Sequence, residues 1–166
     1  MTGPIPGSGL PQHRLMPDAG HWHWYRWQDW PADLLYASMR LRGAVFVVEQ
    51  NCAFEDLDGL DPHGEHLCGT DPSGAVLAYS RLLPPGLKYP EAAIGRVVTA
   101  GAVRGFGWGR ILMAQSIAGC RSRYPGQPIR IGAQQRLERF YTGFGFASQG
   151  KPYLEDGIWH IEMVLA

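Results

Sequence analysis

The sequence predicts a single α/β domain built on a mixed sheet, and three observations carry that prediction. Segments patterned as strands alternate with segments patterned as helices, without an internal repeat or a linker. The hydrophobic fraction of 45% and charged fraction of 18% over 166 residues suit one globular domain with a sizeable core. A run with three glycines spaced two apart, VRGFGWGRILM (103–113), joins a strand pattern directly to a helical one.

In chain order, residues 1–20 are rich in Gly and Pro and read as a flexible lead-in to a domain at 21–166. HWHWYRWQDW (21–30) alternates as a first strand, with Trp22 and Trp24 on one face and Tyr25 and Trp27 on the other. Asp29 and Pro31 signal a helix start, and Leu34, Leu35, Met39 and Leu41 supply its apolar face. EDLDGLDPHGE (55–65) is acidic and glycine-punctuated, and reads as a solvated loop. HLCGTD (66–71) is a short strand and DPSG (71–74) a turn; AVLAYSRLLP (75–84) and AAIGRVVTA (92–100) are strands. The glycine run opens a helix that reaches about Tyr124 and is stopped by Pro125-Gly126. IRIGAQ (129–134) is a strand, QRLERFYTGFG a short helix, and FASQGKPYLED and IWHIEMVLA two final strands.

Composition excludes several functions. Net charge is zero, so no field gathers nucleic acid or an anionic membrane surface. No run approaches the roughly 18 apolar residues of a membrane helix. The N-terminus lacks the apolar core of a signal peptide. Cys52, Cys68 and Cys120 are odd in number and form no CxxC pair, which argues against a zinc knuckle or a disulfide framework and for buried thiols in a reducing cytoplasm. His21 and His23 share a face with no third ligand nearby, and Asp56, Asp58 and Asp61 lack the spacing of a calcium loop. No metal is expected.

The glycine run carries the chemistry. A helix N-terminus presents unpaired N–H groups and the positive end of the helix dipole, and glycines before it let an anion approach. Gly105, Gly107 and Gly109 therefore suit a phosphate, and Arg104 adds a charge. The P-loop pattern fails because no Gly-Lys-Ser/Thr follows. The dinucleotide fingerprint fails because the third glycine comes one residue early and no acidic residue follows at about twenty positions. What fits is R-x-x-G-x-G over Arg104-Gly105-Phe106-Gly107-Trp108-Gly109.

That motif resembles the acetyl-CoA signature of the GNAT superfamily of N-acetyltransferases. IRIGAQ leading into Arg139-Phe140-Tyr141-Thr142-Gly143-Phe144 resembles the family's second signature. Leu41-Arg42-Gly43-Ala44-Val45-Phe46-Val47-Val48-Glu49-Gln50-Asn51-Cys52 is similar to the ElaA-like branch, as are Ile94-Gly95-Arg96-Val97, Asp156-Gly157-Ile158 and His160-Ile161. The likeness spans roughly 22–166.

The resemblance implies a largely antiparallel central sheet, splayed between its fourth and fifth strands and flanked by helices. It implies that the backbone of Arg104, Gly105, Phe106, Gly107, Trp108 and Gly109 holds the coenzyme A pyrophosphate. Val97, Val98 and Thr99 would hydrogen-bond the pantetheine arm, and a backbone N–H there would polarise the thioester. Tyr141 matches the family's tyrosine near the coenzyme sulfur, a general acid. Glu49 and Arg96 are substrate-side candidates, with Arg96 alternatively paired to Glu49 or to an aspartate of 55–61. Glu49, Glu65, His66, Glu91 and His160 are candidate bases, none of them preferred.

The implied activity is transfer of an acetyl group from acetyl-CoA to a primary amine in a ternary complex, with a homodimer allowed. Two alternatives stand beside it. Acylhomoserine-lactone synthases carry a similar Leu-Arg-x-x-Val-Phe-Val helix, here Leu41 to Val47. A non-catalytic acyl-CoA sensor would use the same cradle without turnover.

Overall fold

The alternating apolar residues of the sequence become seven strands of one sheet. In this computed structural model, which describes residues 16, 17 and 20–166, the chain runs β1 (His21–Arg26), α1 (Ala32–Arg42), β2 (Glu65–Thr70), β3 (Val76–Leu83), β4 (Ala92–Thr99), α2 (Trp108–Arg123), β5 (Ile129–Gln134), α3 (Glu138–Thr142), β6 (Ala147–Glu155) and β7 (Ile158–Leu165). The sheet order is β1-β2-β3-β4-β5-β7-β6, and the one parallel pair is β4–β5. Most of the 1–20 lead-in lies outside the described residues. Within it, Pro17 is buried, 3.6 Å from where a Cβ on Gly107 would stand. Among the described residues no helix is long and apolar enough to cross a membrane.

β1 is shorter than its alternation suggests. Trp27–Asp29 tightens into a 3₁₀ turn, closed by an Arg26–Asp29 ion pair of 2.6 Å, before Pro31 opens α1. α1 then widens into π-helical turns over Gly43–Glu49. A π-turn reaims side chains and often marks a functional site; here Val45, Phe46, Glu49 and Gln50 turn toward the cleft described below.

The two faces of the sheet are covered separately. On one, Trp30, Val45, Cys68, Tyr79 and Val98 pack with Leu34, Leu35 and Met39 of α1. On the other, Leu67, Ala78, Trp108 and Leu112 pack with Trp22 and Trp24. A third cluster joins α2 to β5, β7 and α3 through Met113, Ile117, Ile131, Tyr141 and Met163. Trp22 and Trp24 pack against the core, while Trp27 is exposed: Trp22 lies 5.4 Å from Trp108, and Trp24 stacks under the Arg123 guanidinium at 4.4 Å. All three cysteines are buried and free.

The acidic segment 55–65 is largely exposed, as expected of a solvated loop, but two of its aspartates turn inward. Asp56 and Asp61 are buried, and with Asp58 they neutralise three arginines. Arg42, wholly buried, donates from Nε to Asp56 (2.9 Å) and from Nη1 to Asp61 (2.7 Å). Arg81 donates to both Asp58 oxygens at 2.7 Å and to Asp61 at 2.9 Å. Arginines that start within apolar runs need partners on burial, and this loop supplies them. Burial alone would raise the Asp58 and Asp61 carboxyls, but their arginine partners hold both below the ordinary range.

A bulge in β4 shapes the sheet. Tyr79 faces Val98 and Arg81 faces Gly95, so two steps on β3 match three on β4. Arg96 takes up the extra residue with φ +51, and its guanidinium meets Asp56 (2.9 Å) and Asp58 (3.2 Å). A bulge bends and twists its strand. β4 has already left β5 before this bulge: the two pair only at Ala92↔Ile129 and Ala93↔Arg130.

Candidate active site

Where β4 and β5 part, a cleft of about 350 Å³ opens. Its walls are Ile94–Thr99 of β4, Ile131, Gly132 and Gln134 of β5, and the π-turns after α1. Strand backbone that lacks a neighbour must find another partner, so a ligand entering this gap meets a ready ladder of donors and acceptors. Gln134 donates to Gln50 across the cleft (3.0 Å), tying its two walls together.

At one end the cleft reaches Thr99 and Arg104, where β4 gives way to the turn into α2. Gly105 and Gly107 have φ of +81 and +91, a left-handed backbone that glycine adopts without strain. Among the described residues the N–H groups of Gly105, Gly107 and Gly109 find no acceptor in the chain. They stand at the N-terminus of a 16-residue helix, where the dipole favours an anion. The side chains between them serve the core: Trp108 is buried, and Phe106 packs beside it.

Arg104 lies at this end and is held by Glu49. Its Nη2 donates to Glu49 Oε2 (3.0 Å) and to the Thr99 carbonyl (3.2 Å). The guanidinium keeps the Glu49 carboxyl below the ordinary carboxylate range. Arg96 lines the cleft too, with its guanidinium turned back to Asp56 and Asp58.

Tyr141 reaches the cleft from α3, 6% exposed and edge-on to Phe140 at 5.1 Å. Burial pushes its phenol up to about 12, so it is protonated at neutral pH. The structure thus brings Val97, Val98, Thr99, Arg104, Tyr141, Arg96 and Glu49 to one cleft, whereas Gly105–Gly109 follow Arg104 in the chain and are not among the residues that line it.

Of the acid–base candidates, Glu65 pairs with Arg123 (2.7 Å) and Glu91 with Arg130 (2.8 Å). His66 is sealed in the core: Tyr79 Oη donates to its Nδ1 (2.8 Å), and its Nε2 donates to the Asp61 carbonyl (3.0 Å). Burial lowers it to about 4. His160 does line the cleft. Its Nδ1 donates to the Ile158 carbonyl (2.8 Å), which leaves Nε2 as an acceptor.

Residues 85–166 match the acetyltransferase (GNAT) domain family. The chain is 42% identical to Escherichia coli protein ElaA over 131 residues, 78% of this chain and 85% of that one. The chain belongs to the GNAT superfamily, in its ElaA-like branch. A UPF0039 protein of Synechocystis is likewise 42% identical to this GNAT chain, over 87% of it and 94% of the relative. A crystal structure of an acyl-CoA N-acyltransferase from Pseudomonas aeruginosa superposes with a TM-score of 0.84 at 38% identity, covering 89% of this chain and 99% of that one. The crystal structure of E. coli ElaA gives 0.82 at 37% identity, with 87% and 98% covered. A CoA-dependent acyl-homoserine lactone synthase shares the GNAT fold (TM-score 0.70) at 16% identity. The expected splay between the fourth and fifth strands is the observed one.

Sequence reasoning missed Arg42 and Arg81, whose signal was available: both adjoin apolar residues and lie within about two dozen residues of three aspartates. It also passed over Tyr89, Tyr153 and Glu162, which no motif marks.

Proposed function

We propose that this protein transfers an acetyl group from acetyl-CoA to a primary amine within a ternary complex. The observation that carries this is the β4–β5 gap, which has Arg104 and a protonated tyrosine in its wall, with the glycine amides following Arg104 in the chain. Coenzyme A fits the gap chemically. Its pyrophosphate is an anion for the Gly105–Gly109 amides and Arg104, and its pantetheine amides match the open edge of Val97–Thr99.

On this reading the protein contributes position first. Holding amine and thioester together supplies much of the rate. A backbone N–H of β4 polarises the thioester carbonyl as charge develops on it. The amine nitrogen forms the C–N bond, the C–S bond breaks, and Tyr141 gives the departing sulfur a proton. The nitrogen's surplus proton leaves to water, and the tyrosine is reprotonated from solvent. An amine that enters uncharged needs no base from the protein.

The test is release of free thiol from acetyl-CoA in the presence of an amine library. Tyr141→Phe is expected to keep coenzyme affinity and lower kcat by about ten- to a hundredfold. Unchanged kcat would remove Tyr141 from the chemistry, and failure to bind acetyl-CoA would sink the proposal.

A further inference from the structure

A second cavity, of about 340 Å³, adjoins the first and shares Ile94, Gly95, Arg96, Gly132, Glu155 and His160 with it. The two therefore meet where β4 and β5 part. The far wall of the second cavity is formed by Tyr89, Tyr153 and Glu162. Tyr89 Oη donates to Glu162 Oε1 at 3.1 Å, and Tyr153 Oη donates to the same oxygen at 2.7 Å.

Each phenol has one hydrogen, and both are spent on Glu162. Only lone pairs remain for a ligand. Burial and the Glu162 charge raise both phenols, so they stay neutral donors to that carboxylate. Glu162 Oε2 is buried without a hydrogen-bond partner, its nearest cation being Arg130 at 3.7 Å. Gly132 faces this group. A Cβ there would stand 3.4 Å from Glu162 Oε1, Tyr153 Oη and Tyr89 Oη alike, so its absence leaves an oxygen-lined recess open.

The charges around the recess favour a cation. Arg81 and Arg96 are neutralised by Asp56, Asp58 and Asp61. Arg130 is shared between Glu91 and Glu162, which leaves one negative charge in excess. Lys88, exposed over the Tyr89 ring at 5.2 Å, is offset by the exposed Glu155.

We propose that this second cavity is the acceptor subsite, and that it selects an amine carrying a second positive charge, a diamine or polyamine. Its distal ammonium is held by Glu162, Tyr89 and Tyr153, and its near amine reaches the junction of the two cavities. This rests on the acetyltransferase reading above.

The test compares 1,4-diaminobutane, n-butylamine and 4-aminobutanoate as acceptors, by thiol release from acetyl-CoA. The diamine is expected to exceed butylamine in kcat/KM by at least about tenfold, with the carboxylate slowest. Glu162→Gln should bring that ratio to within about twofold through KM, leaving coenzyme A affinity unchanged. A diamine no better than butylamine overturns the proposal, as does a preference that survives Glu162→Gln. Should that variant not fold, the volume-conserving Tyr89→Phe/Tyr153→Phe pair is expected to cut the same ratio, and an unchanged ratio overturns the subsite. Calorimetry of both amines into the protein, with and without coenzyme A, reads the preference without turnover. Diamine preference in calorimetry without acetyl transfer would sink the acetyltransferase reading alone. Transfer without preference would sink the subsite alone.

Discussion

On the α1 side of β4 the guanidiniums of Arg42, Arg81 and Arg96 are bound by Asp56, Asp58 and Asp61, while beyond the C-terminal end of the strand the amides of Gly105, Gly107 and Gly109 find no partner among the described residues. The first region satisfies strong charges with side chains, Arg42, Asp56, Asp61 and Arg81 being buried. The second leaves weaker dipoles unmet at the surface. Buried charges cannot go unpaired without a large cost, whereas an exposed amide waits at little cost for an anion. The two regions are linked by β4, where Arg96 sits in a left-handed bulge, pairs with Asp56 and Asp58 and also lines the cleft.

The largest effect is expected from breaking the closed region. Arg42→Ala removes the wholly buried cation that Asp56 and Asp61 share, leaving them only Arg96 and Arg81, and should lower stability by about 3–5 kcal/mol, with a fall in Tm of roughly 10 °C. Denaturant titration checks this, and a loss below about 1 kcal/mol would refute the network's role. In the open region, Gly107→Asp puts a carboxylate where phosphate is proposed to sit. Coenzyme A affinity should fall by about a hundredfold or more, with circular dichroism unchanged. Gly107→Ala is the control, since it adds left-handed strain without charge. If both variants bind normally, the glycine turn is not an anion site.

Next comes a pH effect. His66 is neutral when folded and lowered to about 4 by burial, whereas in the unfolded chain it titrates near 6.5. Proton uptake therefore favours unfolding as pH falls below 6.5. The loss grows until about pH 4 and reaches about 3 kcal/mol. The depressed Asp58 and Asp61 carboxyls stabilise the fold above their unfolded values near 3.8, and that contribution is lost only at more acid pH. Stability from pH 7 to 4.5 should thus slope in the wild type and flatten in His66→Gln; a flat wild-type curve would contradict the sealed, neutral ring. The smallest effect is at Glu49, exposed against Arg104. Glu49→Gln frees that arginine and should raise coenzyme A affinity by less than about fivefold, at low salt only.

Much of this was legible in the chain. The alternations at 75–84 and 92–100 and the helix opened by the glycine run lie within a residue or two of β3, β4 and α2, because one face of each is committed to the core. Within 55–65 the burial of Asp56 and Asp61 was missed, because acidity signals solvation only where no buried cation answers it. The pairing of Arg96 with this segment was among the expectations, but Arg42 and Arg81 were not. The end of β1 was also hidden, since Trp27 continues the alternation while Asp29 turns back to Arg26.

By itself the sequence determined the order of elements, the glycine turn and the family signatures, since these depend on neighbours three or four residues away. Only the tertiary structure decided which charges meet. The Asp56–Asp58–Asp61 network joins four segments, and the Glu162–Tyr89–Tyr153 recess joins a loop to two strands more than sixty residues downstream. Contacts at such separations leave no local period, because they are set by the twist of the sheet and the place where β4 and β5 part.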